Sequence, residues 1–285
     1  MRPDPRTTAV HGDLAAAGLE GVVAAAQFQE TRPMRVVAPV AAIRAHPSES
    51  AEQADALLFG ETFDVLAERD GLAWGQARRD GYVGYVESRA LSNDRPEPTH
   101  WVAAIRTFAF DAPSIKSRAR GPISLNALVT IEEEAGPLAL ARDLGWVPKP
   151  HLLPIGRFLA DPAAVAERFA GAPYLWGGRD SVGLDCSGLV QQALYACGLG
   201  CPRDSDQQAS LGVPAPSIAL RRGDLVFWTG HVGMMLDARR LIHANAFHMA
   251  VTIEPLVEAE ARILAAGNGA PVALRRVQMS PAMTR

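Results

Sequence analysis

The most informative segment of this 285-residue chain reads Leu184-Asp-Cys-Ser-Gly-Leu-Val-Gln-Gln-Ala-Leu-Tyr-Ala-Cys-Gly198. From Ser187 onward its apolar side chains recur at helical spacing, and the final glycine is placed to end the helix. Cys186 therefore falls in the first turn of a predicted helix, after a glycine-rich loop at 177–183. Because a helix N-terminus stabilises an anion, we expect the pKa of this thiol to lie below its ordinary value of about 8.5. The segment predicts a nucleophilic cysteine.

A nucleophilic thiol needs a base and a group that orients the base. Residues 230–236 and 241–245 each predict a strand, the first with His231 near its start and the second with His243. The two histidines are twelve residues apart, a natural distance for a hairpin. Two neighbouring antiparallel strands could therefore place both rings side by side, facing the helix that carries Cys186.

Composition excludes several classes of protein. With 48% apolar and 21% charged residues the chain can bury sizeable cores, and its length suggests about two domains. A net charge of −3 indicates no nucleic-acid partner, and no apolar run is long enough for a membrane span. Only three cysteines are present, so no disulfide scaffold is expected, and Cys197 and Cys201 are predicted to be core residues. A structural zinc site would need four ligands at suitable spacing, so we expect no metal and no other cofactor.

Residues 1–33 contain an alanine-rich stretch at 14–26. It could pass for a signal-peptide core, but Glu20 and two glycines interrupt it, and the preceding residues include Asp4 and prolines. We therefore predict an N-terminal helical segment, an amphipathic helix docked on the body of the protein. Cytoplasmic localisation is the corresponding expectation.

Residues 34–93 show short apolar strands divided by turn residues, including a hairpin signal at Asp80-Gly81. After a polar linker a similar layout recurs at 99–153, where Gly145-Trp-Val147 takes the place of Gly84-Tyr-Val86. This indicates an internal repeat of one small β-barrel. A third domain is predicted from 160 to 285, because Asp161-Pro162 begins a helix with an N-cap residue and a proline at its first position.

Both parts of the chain carry a family resemblance. The two N-terminal units resemble the bacterial SH3-like domain, whose late strand has a Gly-(Tyr/Trp)-Val pattern. The C-terminal domain resembles the NlpC/P60 family of papain-like cysteine peptidases. Six motifs in order carry this second resemblance: Tyr174-x-Trp-Gly-Gly178, Asp185-Cys-Ser-Gly188, Pro202-Arg-Asp-Ser-Asp-Gln-Gln208, Gly223-Asp-Leu225, His231-Val-Gly233 and Ile242-His-Ala244.

The resemblance implies an α+β protein, with a papain-like NlpC/P60 catalytic domain preceded by two small SH3-like β-barrels. It implies Cys186 as nucleophile, His231 as general base and His243 as the residue that orients the base. Tyr174 and the backbone N–H of Cys186 would then stabilise the oxyanion. These roles agree with the interpretation of the helix and the hairpin.

Substrate recognition is also an implication of the resemblance. The family branch with SH3-like domains cleaves the bond between γ-D-glutamate and a diamino acid in murein peptides, and its first barrel admits a free L-Ala amino end. Asp185 is either the carboxylate partner of that ammonium group or a helix N-cap. The other candidates for the substrate pocket are Ser187, Ser205, and Tyr82 or Tyr85 of the first barrel. For the two tyrosines, ordinary packing within the barrel is the alternative interpretation.

Three functions are compatible with these observations. The first is a cytosolic cysteine endopeptidase that trims L-Ala-γ-D-Glu-diamino acid peptides during cell-wall recycling. The second is an exported hydrolase that acts on intact stem peptides, and the third is a non-catalytic protein that binds cell-wall peptides. The presence of Cys186, His231 and His243 argues against the third. The sequence leaves the oligomeric state and the preferred diamino acid open.

Overall fold

A computed structural model describes residues 3–48, 50–94 and 96–278, and the chain divides into two compact units between Ile155 and Gly156. The division falls close to the predicted start of the third domain at residue 160. Among the described residues no helix is both long and apolar enough to span a membrane. In the same part of the chain, no group of three or more His, Cys, Asp or Glu side chains could hold a metal ion.

The N-terminal segment is not the predicted helix. It forms a three-stranded sheet and two short 3₁₀ helices, with these bounds: β1 Val10–His11, β2 Leu14–Ala16, β3 Gln27–Gln29, and 3₁₀ turns at Pro5–Thr7 and Ala17–Leu19. Gly12 and Gly21 adopt positive φ values of 61° and 77°, which turn the chain where a helix would have to continue. Small apolar residues of the segment pack against Leu66 and Trp74 of the following sheet. Tertiary packing therefore overrides the helix propensity of alanine.

The first predicted barrel is a seven-stranded antiparallel sheet. Its strands are β4 Arg32–Val36, β5 Val40–Arg44, β6 Gln53–Leu58, β7 Thr62–Arg69, β8 Leu72–Ala77, β9 Val83–Glu87 and β10 Leu91–Ser92. Their order in the sheet is β10-β4-β7-β8-β9-β5-β6. Alternate residues such as Ile43, Phe63 and Val86 point into one buried hydrophobic core, as the period-two pattern predicts.

The second β unit has two sheets around a core of its own. Its strands are β11 His100–Val102, β12 Arg106–Phe110, β13 Ala119–Ser124, β14 Leu128–Val129, β15 Ile131–Ala135, β16 Leu138–Ala141, β17 Gly145–Pro148 and β18 Leu152–Pro154. The sheet orders are β14-β11-β18 and β13-β12-β17-β16-β15. Val102, Ile123 and Val147 lie in the core, which also takes in Phe59 from the first β unit.

The predicted repeat has a structural counterpart in two matching strands. In β9, Tyr85 pairs with Arg44 of β5, and in β17, Trp146 pairs with Phe110 of β12. In both strands the preceding glycine lies so close to the neighbouring strand that a side chain would meet its backbone. The same Gly-aromatic-Val stretch therefore makes the same kind of strand contact twice. That the second unit is SH3-like stays a prediction.

Within the described residues, the C-terminal unit is a six-stranded antiparallel sheet with four α-helices and a 3₁₀ turn at Ser217–Ala219. The elements are α1 Pro162–Glu167, α2 Cys186–Ala196, α3 Ser205–Gln208, β19 Val213–Pro214, β20 Asp224–Trp228, β21 His231–Met235, β22 Arg240–Asn245, β23 Ala250–Pro255, α4 Leu256–Ala265 and β24 Ala273–Arg276. The sheet order is β19-β24-β20-β21-β22-β23, so the last of these strands in the chain, β24, lies between β19 and β20. Helix α2 packs on β21 and β22, and α4 packs through Ala259 on the face that carries Trp228 and Leu241. Residues 279–285 of the predicted domain lie outside the described part of the chain.

Candidate active site

Cys186 is the first residue of α2, as predicted, and Asp185 is the N-cap of that helix. The Asp185 carboxylate accepts a hydrogen bond of 2.7 Å from the backbone N–H of Gly188. This bond satisfies one of the N–H groups that every helix N-terminus leaves unpaired, so the helix begins at Cys186 for a local reason. Cys186 itself is 7% exposed.

Three glycines allow the loop before α2 to lie against the first turn of the helix. An added Cβ at Gly178 would overlap the carbonyl oxygen of Gly183, and one at Gly188 would overlap the carbonyl oxygen of Gly178. The backbone of the loop therefore approaches the helix more closely than any side chain permits. The glycines in the two motifs around Cys186 are explained by this close approach.

Gly188→Ala is expected to destabilise the C-terminal unit by about 1–3 kcal/mol, the usual cost of adding atoms to a packed interior. The new methyl group would overlap the carbonyl of Gly178 and lie 3.1 Å from Oδ1 of Asp185. Urea-titrated hydrogen exchange of peptides from α2 measures the change. Gly200→Ala is the matched control, because nothing lies within 4 Å of an added Cβ there. Equal stability of the two variants would contradict this account of the loop.

His231 begins β21 and His243 lies in β22, and the structure brings their rings together as the hairpin spacing predicts. His231 Nε2 and His243 Nδ1 are 2.7 Å apart, within hydrogen-bond distance. The two strands pair only at their other end, where Met234 is opposite Ile242. An added Cβ on Gly233 would meet the side chain of Leu241 and approach His243, so this glycine leaves room for the second ring.

Two charged residues extend the hydrogen-bonded contacts beyond His243. Glu254 of β23 places Oε1 2.6 Å from His243 Nε2. Arg262 of α4 donates to both oxygens of Glu254, at 2.7 and 2.5 Å. His243 is therefore not the end of the polar chain, and a carboxylate backed by a guanidinium lies behind it. The sequence analysis did not identify either residue.

The thiol does not have the lowered pKa that its helix position predicts. Burial, and then the carboxylate of Asp185, raises the pKa of Cys186 to about 12. The backbone N–H groups of Val232 and Ser187 hydrogen bond to its sulfur and act in the opposite direction, but desolvation outweighs them. The bond from Val232 also places Cys186 directly beside the start of β21.

Burial lowers the pKa of His231 to about 3, with further contributions from His243 and Arg262. Burial also lowers the pKa of His243, and Glu254 opposes that shift. Loss of hydration thus favours the neutral thiol and the neutral imidazole in the same site. A thiolate–imidazolium pair forms there only with support from nearby charges and donors.

Asp185 has the N-cap role, which was one of its two predicted alternatives. Its carboxylate also accepts a bond of 2.9 Å from the N–H of Gly177 and two bonds from the buried Arg203, at 3.0 and 2.6 Å. The Ser187 hydroxyl is a further neighbour at 3.2 Å. These donors occupy the lone pairs of the carboxylate, which leaves none for the ammonium group of a substrate.

The other candidate residues of this unit differ in what they can contact. The hydroxyl of Ser187 is buried and accepts a bond of 2.8 Å from Arg203, so it belongs to the support of α2. Tyr174 is half-buried, and burial, followed by the charges of Cys186 and Asp185, raises the pKa of its hydroxyl. Ser205 is half-buried at the start of α3, which packs on α2 and β21.

The comparisons with known proteins agree with this geometry. Residues 171–262 match the NlpC/P60 family, and residues 43–91 match the bacterial dipeptidyl-peptidase Sh3 domain. Residues 171–262 form an NlpC/P60 domain. The family is one of cysteine peptidases, so the chain is a hydrolase of that class.

Some known proteins are similar to this chain over most of its length, including the NlpC/P60 domain and the units before it. A gamma-D-glutamyl-L-lysine dipeptidyl-peptidase of Bacillus subtilis (strain 168) is 28% identical over 225 residues, which cover 71% of this chain and 75% of that protein. Dipeptidyl-peptidase 6 of Lysinibacillus sphaericus is 27% identical over 251 residues, 78% of this chain and 91% of the relative. The crystal structure of an NlpC/P60 family protein from Bacillus cereus ATCC 10987 has a TM-score of 0.72 at 19% identity and covers 86% of this chain and 99% of its own. This last likeness shows the fold.

The tyrosines predicted for the substrate pocket belong to the Sh3 domain. Tyr82 is 8% exposed and lies in the hydrophobic core of that domain, where its ring packs, and its place in the wall of a substrate pocket stays a prediction. The hydroxyl of Tyr85 is 2.7 Å from Nε2 of His11 in the N-terminal segment. Both positions follow from strand alternation in β9 and the turn before it, which places a tyrosine on each face of the sheet.

Three residues of the candidate site in the NlpC/P60 domain were not predicted from the sequence as site residues: Arg203, Glu254 and Arg262. Arg203 stands in a quoted motif, but its partner Asp185 is eighteen residues away and no local pattern connects them. Glu254 could have been found from strand pairing. In the β22–β23 hairpin Thr252 is opposite His243, so Glu254, two residues further on, shares the same face of the sheet.

Proposed function

We propose that this protein hydrolyses the γ-D-glutamyl–diamino acid bond of murein peptides that carry a free N-terminal L-Ala, in the recycling of cell-wall peptides in the cytoplasm. The observation that carries the proposal is Cys186 at the start of α2, beside the start of β21, with the imidazoles of His231 and His243 2.7 Å apart. The names of the relatives from Bacillus subtilis and Lysinibacillus sphaericus support the substrate class.

In the acylation step the thiol proton of Cys186 passes to His231 while the sulfur attacks the amide carbonyl carbon. Since His231 Nε2 lies against His243, its Nδ1 is the ring nitrogen that takes this proton. Because burial favours the neutral forms of both groups, proton transfer and attack occur together. The product of this step is a tetrahedral oxyanion bonded to sulfur.

The second half of the reaction releases both products. The imidazolium of His231 protonates the leaving amine of the diamino acid, the C–N bond breaks, and a thioester remains on Cys186. Water then attacks the thioester and gives one proton to His231, which returns it to the departing sulfur. The peptide leaves with a new carboxylate on the γ-glutamyl residue, and the site returns to its starting state.

Two donors are available for the oxyanion. The backbone N–H of Cys186 is one of the free N–H groups at the start of α2, and Tyr174 keeps its hydroxyl proton because its pKa is raised. The loss of one such donor typically slows an acyl-transfer enzyme about 10²- to 10³-fold. Tyr174 is therefore assigned as an oxyanion donor, and Ser205 is assigned to the wall of the cleft.

The test is a mass-spectrometric assay of the full-length protein on L-Ala-γ-D-Glu-meso-diaminopimelate and its N-acetylated form, with Cys186→Ala as the inactive control. We expect release of diaminopimelate from the free peptide alone. Cleavage of both peptides would contradict the requirement for a free amine and would indicate an exported wall hydrolase. Cleavage of neither would overturn the proposed activity in favour of peptide binding. Cell fractionation checks the cytoplasmic location.

A further inference from the structure

The hydrogen bonds that join Arg262, Glu254, His243 and His231 each have an assignable donor and acceptor. Arg262 has only donors, and both oxygens of Glu254 accept from it. The ionised Glu254 accepts bonds only, so the group at His243 Nε2, 2.6 Å from Oε1, is an N–H. His243 then carries its proton on Nε2, and its Nδ1 is left as an acceptor.

The proton position on His243 also determines the proton position on His231. Because His243 Nδ1 is an acceptor, the partner atom at 2.7 Å, Nε2 of His231, is the donor. A neutral His231 with its proton on Nε2 has a bare Nδ1. This is the nitrogen that must accept the proton of Cys186 in the proposed reaction.

We propose that Glu254, held by Arg262, is a positioning residue that sets the tautomer of His243 and, through His243, the tautomer and basicity of His231. The inference rests on the proposed function for its effect on catalysis. Its structural part, the proton positions on the two rings, concerns the free protein. Within the described residues, the titratable groups that act on the two rings, besides each other, are Glu254, Arg262 and His248, so Glu254 supplies the carboxylate. The ring of Trp228 lies 5.7 Å from that of His231.

The burial of these side chains strengthens the electrostatic effect of Glu254 on His231. The side chain of His243 is fully buried, that of Glu254 is 11% exposed and that of Arg262 is 21% exposed. The ring of Phe247 lies 4.7 Å from the guanidinium of Arg262 and holds it in place on the solvent side. Because buried charges are weakly screened by water, they interact over several ångströms. The carboxylate of Glu254 therefore stabilises an imidazolium at His231 when the thiol of Cys186 gives up its proton.

Glu254→Gln tests the tautomer. The amide has one acceptor, which pairs with Arg262, so its NH₂ group faces His243 Nε2 and requires that nitrogen to be an acceptor. The protons of both rings then move to Nδ1, and His231 presents an N–H to the thiol. We expect kcat/KM on the free murein peptide to fall about 10- to 100-fold, the usual cost of removing an outer partner of a functional histidine.

The sign of the pH effect separates positioning from a merely structural role. Glu254 raises the pKa of His231 and Arg262 lowers it. Glu254→Gln should therefore move the acidic limb of the kcat/KM profile to lower pH, and Arg262→Gln should move it to higher pH. The titratable groups that act on the two rings, besides each other, are Glu254 from β23, Arg262 from α4 and His248 from the β22–β23 turn.

The control is Glu258→Gln. Glu258 is an exposed carboxylate of α4 that also interacts with Arg262, and its replacement should leave the activity and the profile unchanged. Shifts of the limb in opposite directions for the Glu254 and Arg262 variants support the proposal. Shifts in the same direction, or full activity of Glu254→Gln, would overturn it.

A measurement without substrate keeps this inference separate from the proposed function. In protein labelled with ¹⁵N-histidine, the nitrogen shifts of His243, assigned by comparison with His243→Gln, report which nitrogen carries the proton. We expect the proton on Nε2 in the native protein and on Nδ1 in Glu254→Gln. The same tautomer in both proteins would refute the role of Glu254, whether or not any murein peptide is cleaved.

Discussion

Hydrolysis of the free murein peptide by Cys186→Ala is expected to be slower by roughly 10⁴- to 10⁶-fold, the scale found when the nucleophile of a hydrolytic triad is removed. The neighbouring hydroxyl at the start of α2, that of Ser187, is held by Asp185 and Arg203 and does not replace the thiol. The fold is expected to persist, because the alanine keeps the helix position and the N-cap bond between Asp185 and Gly188. Kinetics on the free peptide measure the loss, and hydrogen exchange of α2 confirms that the helix is intact.

Cys197→Ala is the matched control for the nucleophile. Cys197 is the C-cap residue of the same helix and is as buried as Cys186, at 7% exposure each. It lies at the far end of α2 from the two histidines, so its replacement should leave kcat/KM unchanged. Substantial activity in Cys186→Ala would contradict the assignment of the nucleophile. A loss of activity in both variants with α2 unfolded would show that the helix, rather than the thiol, had been tested.

Arg203→Met is expected to destabilise the C-terminal unit by about 3–5 kcal/mol, because it leaves a buried carboxylate without its counter-charge. The side chains of Arg203 and Asp185 are only 1% and 8% exposed, and the pair is joined by two hydrogen bonds. The guanidinium also donates to the hydroxyl of Ser187. Urea-titrated hydrogen exchange of peptides from α2 gives the free energy of unfolding.

Two further variants complete this experiment. Asp185→Asn combined with Arg203→Met should recover part of the loss, because the double variant has no isolated buried charge. Arg240→Met, which breaks the exposed pair with Asp237, is the matched control and should change stability by about 1 kcal/mol or less. A small effect of Arg203→Met would mean that Asp185 does not depend on this partner. The carboxylate would then again be a candidate ligand for a substrate ammonium group.

The start of α2 was predictable from nearby residues. Asp185 caps the helix three residues before its hydrogen-bond partner Gly188, and Gly198, with a φ of 77°, follows its end. Interactions of this kind join residues that are close in the chain, so their pattern is visible in the sequence. The hairpin distance between His231 and His243 is local in the same sense. The strands of the first β unit followed from alternation and from the Asp80-Gly81 turn.

The N-terminal segment shows where local preference fails. Its alanines favour a helix in isolation, but Ala9 is buried, and Leu14 and Ala16 are partly buried, against Leu66 and Trp74 of the following sheet. The free energy of that burial depends on a surface that other parts of the chain build. A sequence window of thirty residues does not contain that surface, so the composition of the window predicted the wrong structure.

The candidates for nucleophile, base and third residue could thus be identified from local sequence, whereas the electrostatic state of the site depended on the folded chain. Burial raises the pKa of Cys186, although the helix N-terminus by itself would lower it. Pairings across eighteen and eleven residues brought Arg203 to Asp185 and Glu254 to His243. The physical reason is the separation along the chain of the residues that each interaction joins. Capping and strand alternation act over a few residues, while desolvation and charge pairing depend on which distant segments the fold brings into contact.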